Sequence, residues 1–212
     1  MARFRRARTE EKKKQREQDI INSALVICDE RGLDAVSFES VAQHLGLTRP
    51  LIYSYFRTRE ELIAAMLDRE IRAWTDDLVI TIAPLNGSSA DEIADAWTGC
   101  MSRHVRLATL CAARNVMAAD GVSNESNQRL VARMAASKDA ALAALNRVMG
   151  TLDRETGSVF YDMQMSLAVG LESLRGLTRN AAECMAIYSR SVRGALRQYN
   201  KAPAEPIRQA IE

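Results

Sequence analysis

The chain has 212 residues, 47% of them hydrophobic and 26% charged, with a formal net charge of +2. That is enough for one large domain or a small one plus a larger one, and no run approaches the ~18 apolar residues of a membrane span. The total charge names no partner, but its distribution does: residues 1–16 hold eight Lys and Arg against two Glu, so a basic arm precedes a mildly acidic body, a hint of nucleic acid or an anionic surface.

Helical spacing runs almost throughout. Ile21, Ala24, Leu25 and Cys28 recur at three- and four-residue steps, and Gly32 supplies a C-terminal stop. Ser37 can cap a second helix carrying Phe38, Val41, Ala42 and Leu45 on one face, and Gly46 ends it. Thr48 can cap a third helix with Pro50 in its first turn, where a missing N–H does no harm. Thr58-Arg59-Glu60-Glu61 is a capping-box pattern opening a fourth helix that should run to about Thr81. Pro84, Asn86, Gly87, Ser88 and Ser89 form the clearest loop. Beyond it, Ser89 to Glu92 repeats the capping box, and helices are predicted over 90–106, 107–118, 125–149, 157–177 and 181–200. Asp120-Gly121, Gly150 and Asn180 punctuate them. No useful β-like alternation appears, so the predicted fold is all-α, and residues 201–212, with two prolines, are expected to be a flexible tail.

The stretch LGLTRPLIYSYF, residues 45–56, carries the chemistry. Two short helices joined by a tight glycine-containing turn form a helix-turn-helix, whose second helix enters the DNA major groove with its N-terminal residues at base edges. That places Thr48, Arg49 and Leu51 at the bases. Arg49 can pair with guanine O6 and N7, and Leu51 can touch a thymine methyl. Ile52 and Phe56 face inward. Tyr53 and Tyr55 flank the helix with hydroxyls suited to phosphate oxygens, and Arg59, in the first turn of the fourth helix, can clamp a phosphate. The arm either tracks phosphates, enters the minor groove, or serves as a solvated tail.

The run from about Ile20 to Asp68 resembles the TetR family of one-component bacterial transcription regulators. Gly32, Ser37, Val41-Ala42, Leu45-Gly46-Leu47, Tyr53, Tyr55-Phe56, Arg59 and Leu62 carry the likeness. Two positions depart mildly from the family pattern: residue 55 is often His and residue 59 usually Lys. The resemblance implies a DNA-facing set of Ser37, Thr48, Arg49, Leu51, Tyr53, Tyr55 and Arg59. It also implies an N-terminal three-helix DNA-binding domain followed by a larger helical domain that binds a small molecule and dimerises. The expected division is a basic arm at 1–16, the DNA-binding domain at 17–65, the effector and dimerisation domain at 66–200, and the tail.

Two stripes give independent support for dimerisation. Phe160, Met163, Leu167, Gly170, Leu174 and Leu177 form one, and Met185, Tyr188, Val192, Ala195 and Tyr199 the other. Helices near 157–177 and 181–200 from two subunits can form a four-helix interface about a two-fold axis. Candidate effector contacts are Trp74, Trp97, Cys100, Met101, His104, Cys111, Met117, Met134, Tyr161 and Met165; a Met-rich cavity adapts to varied apolar shapes.

Cys28, Cys100, Cys111 and Cys184 form no CxxC pair, and His44 and His104 lie far apart. Free thiols in a reducing cytoplasm are the expectation, and neither zinc nor a cofactor is indicated. The N-terminus lacks the apolar core of a secretory signal, and Glu10 and Glu11 suit a transit peptide poorly. No GxSxG, Walker, GxGxxG or HExxH motif occurs, so an enzyme is not expected. The expected function is a DNA-binding homodimer on a palindromic operator, a repressor released by a small apolar effector. The alternative is control by a protein partner or by cysteine oxidation.

Overall fold

The computed structural model describes residues 2–117, 121–150, 152–175 and 180–201, with side chains from 10 to 199 within those ranges. The described residues are helical as the periodicity predicts. The elements are α1 (Ala2–Arg31), a 3-10 turn (Leu33–Ala35), α2 (Phe38–Leu45), α3 (Arg49–Tyr53), α4 (Arg59–Ile82), α5 (Ala90–Arg103), α6 (Val105–Val116), α7 (Asn124–Met149), α8 (Arg154–Leu174) and α9 (Ala181–Lys201). No helix among the described residues is long and apolar enough to cross a membrane. The expected flexible tail lies outside the described residues beyond Lys201, as does Asp120 of the Asp120-Gly121 break.

The chain divides into two compact units: Met1–Asp68 with Arg114–Leu130, and Arg69–Ala113 with Val131–Glu212. In the first, α1 packs on the 3-10 turn and on α2, and α2 packs on α3. Their shared core includes Ile20, Ala24, Ile27, Val36, Val41 and Ile52, all buried. Ser37 caps α2 reciprocally: its Oγ accepts from Ser40 N–H at 3.1 Å, and its own N–H donates to Ser40 Oγ at 2.9 Å. Gly46 ends α2 at φ 63°, ψ 32°, the left-handed conformation that a Cβ disfavours. Gly121 meets the start of α4, where Thr58 Oγ1 donates to Gly121 O. A Cβ at Gly121 would come 2.6 Å from Glu60 Cγ, so glycine permits that approach.

In the second unit α9 packs on α5 and α8. The stripe on α9 turns inward, with Tyr188, Val192 and Leu196 buried, as are Phe160 and Leu171 of α8. Those residues therefore serve the unit's own core. The outward face of α8 shows Val159, Met163 and Leu174 instead. Ser89 and Glu92 form the predicted capping box of α5. α8 starts three residues before the predicted point, because Asp153 accepts from the N–H groups of Glu155 and Thr156 and caps it. The predicted 90–106 helix is interrupted at His104, which takes φ −112°, ψ 47° and separates α5 from α6.

Candidate functional site

The first unit presents α3 as a two-faced helix. Ile52 and Phe56 are buried beneath it, while Thr48, Arg49, Leu51 and Tyr53 are exposed and Tyr55 is half-buried. Thr48 holds the cap position with an extended backbone, but its side chain makes no cap hydrogen bond; Leu51 N–H donates to Thr48 O instead, at 3.0 Å. Tyr53 leans its ring edge-to-face on Phe38, centroids 4.7 Å apart, which fixes its direction. Its hydroxyl accepts from Arg49 Nη2 at 3.1 Å, and the guanidinium lies 5.5 Å from the ring centroid. Arg49 is thus held outward by a partner on its own helix, four residues away. That pair is a preorganised cationic donor on an apolar-backed helix, with Leu51, 37% exposed, beside it.

Two of the expected DNA-facing residues have other duties. Ser37 uses its hydroxyl in the α2 cap. Arg59, expected on a phosphate, instead donates Nε to Val36 O at 2.7 Å and Nη2 to Leu33 O at 2.8 Å. The planar fork that suits a phosphate suits two adjacent carbonyls equally, and it pins the start of α4 to the 3-10 turn. Glu61 also departs slightly from the predicted box: it accepts from Arg57 N–H at 2.9 Å.

In the second unit, three of the expected effector residues come together. Trp74 lies 5.6 Å from Trp97 and 6.1 Å from Tyr161, and Trp97 lies 6.3 Å from Tyr161, centroid to centroid. Trp97 Nε1 donates to Tyr188 Oη at 2.9 Å. Burial pushes the pKa of the Tyr188 hydroxyl up, and that of Tyr161 likewise. Trp74 Nε1 and Gln164 Oε1 are buried with no hydrogen-bond partner. Met101 and Tyr188 belong to a partly open cleft of about 80 Å³, lined also by Val105, Leu171, Cys184 and Met185 with the small Ala108, Ala168 and Ala181, and by the charged pair Glu172 and Arg175. Arg175 and Glu172 are paired at 2.9 Å, and Thr109 donates to Glu172 at 2.7 Å.

The other expected effector residues stand apart. Met117 falls in the first unit, Met134 is 46% exposed on α7, and Met165 is half-buried on α8. Methionine at helical spacing does not distinguish filler from lining, so the sequence alone treats those positions alike. The small cleft residues Ala108, Ala168 and Ala181 escape sequence reasoning, because alanine carries no chemistry that sequence alone can read. His104 sits between two carboxylates, Nδ1 3.0 Å from Glu70 Oε1 and Nε2 3.2 Å from Asp77 Oδ2.

Residues 20–66 match the family model described as bacterial regulatory proteins, tetR family. Residues 68–194 match the tetracyclin repressor-like C-terminal domain. No curated protein matches the chain by sequence. Among solved structures, a transcriptional regulator from Rhodococcus sp. Rha1 is similar with a TM-score of 0.59 at 16% identity, over 88% of this chain and 99% of that one. A putative TetR-family regulator from Mesorhizobium loti gives 0.61 at 12% identity, over 87% and 95%. The fatty acid degradation regulator FadR from Bacillus halodurans gives 0.57 at 11% identity, over 90% and 97%. Identities this low speak for the fold.

Proposed function

Because the chain belongs to the tetR family of bacterial regulatory proteins, we propose that it is a cytoplasmic repressor which reads a palindromic operator through the exposed face of α3 and leaves it when a small, largely apolar effector binds. That it is a transcription regulator with a helix-turn-helix DNA-binding domain follows from the family. The observation that carries the rest is the Arg49–Tyr53 pair, held outward on a helix whose opposite face is buried. Arg49 takes the base-edge role, with Thr48 and Leu51 beside it, and Tyr53 and Tyr55 address the flanking phosphates. Arg59 supports the head from within.

Two heads must meet half-sites one helical turn apart, ~34 Å, so a dimer is required. The exposed apolar stripe of α8, Val159, Met163 and Leu174, supports a two-fold contact there. Met163→Glu is expected to leave the helical content unchanged, because the side chain is 57% exposed within one subunit. It should weaken self-association about 100-fold or more, since each interface would bury an unpaired carboxylate from both copies. Sedimentation equilibrium checks this; an undiminished dimer removes α8 from the interface.

The aromatic cluster of Trp74, Trp97 and Tyr161 supports an apolar effector, and the unpaired Trp74 N–H and Gln164 carbonyl offer it one donor site and one acceptor site. The adjoining cleft, at about 80 Å³, is below the ~300 Å³ low end for small-molecule sites. Entry of an effector therefore requires Met101 or Met185 to swing, which their unbranched chains allow. The effector must prefer the state in which the heads do not match the operator, because equal affinity would shift nothing. α4 contributes residues to both units and is the element through which that preference acts.

Control by cysteine oxidation fits less well. All four cysteines are buried. Burial pushes the Cys111 thiol up to about 11, and burial with the Asp77 carboxylate pushes Cys100 up to about 12, so neither offers a thiolate near neutrality. Thermal-shift screening of metabolites, with and without oxidant, tests the effector reading: stabilisation by a small molecule is expected, and a response to oxidant alone would reverse it.

The arm gives a further expectation. Deleting residues 1–16 should flatten the salt dependence of DNA binding by about 0.9 in log–log slope for each phosphate that the arm neutralises. An unchanged slope would make the arm a solvated tail.

A further inference from the structure

The pair Cys100 and His104 is spaced i, i+4 at the end of α5, and α4 brings Asp77 against both. One atom from each gathers in a small volume, all within 4.8 Å of one another. The edges are specific. Asp77 Oδ2 lies 3.4 Å from Cys100 Sγ and 3.2 Å from His104 Nε2. A tetrahedral zinc ion with bonds of ~2.0 Å to N and O and ~2.3 Å to S would have edges of roughly 3.5 Å and 3.3 Å for the same pairs.

A second observation comes from the other side of the imidazole. Glu70, only 2% exposed, receives Nδ1 of His104 at 3.0 Å and Arg106 Nη2 at 3.2 Å. A carboxylate on Nδ1 fixes the tautomer with the proton there, as behind many metal-bound histidines. Asp77 Oδ2 faces the opposite ring nitrogen, Nε2, at 3.2 Å, so the position between them takes either a proton or a metal ion. Asp77 is already arranged as a hub: its carboxylate also accepts from Cys100 Sγ, Arg103 Nε and Thr81 Oγ1.

We propose that Asp77, Cys100 and His104 are the three protein ligands of a site for a divalent transition-metal ion of the zinc class, with Glu70 as the positioning residue behind His104. The thiol sulfur and imidazole nitrogen select a borderline-soft ion over magnesium or calcium. On binding, Cys100 gives up its proton to solvent and bonds as thiolate. A dication with one thiolate, one carboxylate and one neutral imidazole is electroneutral, which a half-buried site requires. Arg103, whose side chain is 51% exposed, leaves Asp77 at little cost. Three ligands leave a fourth position for water or an exogenous donor. No CxxC marks this site in the sequence, and the partners Asp77 and His104 are joined only by the fold.

The test is cobalt titration of the full-length, tag-free, reduced and metal-stripped chain. Wild-type protein is expected to give the intense ligand-field bands of four-coordinate cobalt and a near-ultraviolet sulfur-to-cobalt charge-transfer band, both abolished by one equivalent of zinc. Cys100→Ser should lose the charge-transfer band. Cys184→Ser, outside the cluster, should keep it. Glu70→Gln should bind 10- to 100-fold more weakly while retaining the spectrum. Helical content by circular dichroism accompanies each variant. A wild-type spectrum no different from that of the hydrated ion, or a charge-transfer band surviving in Cys100→Ser, overturns the proposal and makes the cluster a proton-bridged ion network. The outcome is independent of DNA binding, so it leaves the operator reading untouched.

Discussion

Trp97→Ala is expected to destabilise the second unit by about 3–5 kcal/mol, the usual cost of emptying a large aromatic site. Trp97 has no solvent exposure and is in edge contact with Trp74, Phe160 and Tyr161. Alanine removes those contacts and also takes the indole donor from the buried Tyr188 hydroxyl, adding about 1 kcal/mol or more. Against a typical total of ~5–15 kcal/mol, the combined loss of about 4–6 kcal/mol should lower the melting temperature by roughly 8–24 °C for a chain of this size. Trp97→Phe keeps a ring and loses the donor, so it should recover most of the deficit. Thermal denaturation followed by circular dichroism checks both. A loss below about 1 kcal/mol for alanine would mean the aromatic cluster is not packed as described.

Arg49→Ala is expected to act on recognition and leave stability alone. The side chain is exposed, and its partner Tyr53 remains packed on Phe38 without it. A bidentate arginine–guanine contact is worth about 1–3 kcal/mol of discrimination, so each half-site should lose roughly 5- to 150-fold in selectivity. Binding to unrelated DNA should fall much less, because phosphate contacts dominate there. Gel-shift competition between operator and random duplex separates the two effects. Tyr53→Phe provides a graded comparison: it keeps the ring against Phe38 but removes the oxygen that accepts from Arg49 Nη2. Its selectivity should fall between wild type and Arg49→Ala.

The DNA-reading head is legible in the sequence because its signals are local. Ser37, Gly46 and Pro50 mark helix ends within a few residues, and Ile52 and Phe56 mark the buried face by spacing alone. The Ser89–Glu92 box and the Pro84–Ser89 loop are local in the same way. What stays hidden depends on contacts across long separations. Arg59 looks like a surface cation until Leu33 and Val36 are brought beneath it, more than twenty residues away in the chain. Asp77 and His104 are separated by a loop and most of a helix, and only packing turns C-x3-H into part of a cluster. The apolar stripe on α9 is visible by spacing, but whether it faces α5 or another subunit is not, since periodicity gives a face and not its partner. Trp74 of α4 and Trp97 of α5, more than twenty residues apart, likewise meet only in the fold.

The placement of α3 in the major groove is tested most directly by dimethyl sulfate footprinting on DNA fragments that the protein selects from a genome. Wild-type protein should shield guanine N7 at matched positions in two half-sites about 10 base pairs apart, and Arg49→Ala should lose that shielding while still protecting the backbone from hydroxyl radicals. Identical guanine protection by the two proteins, or protection confined to the minor-groove face, would contradict the account.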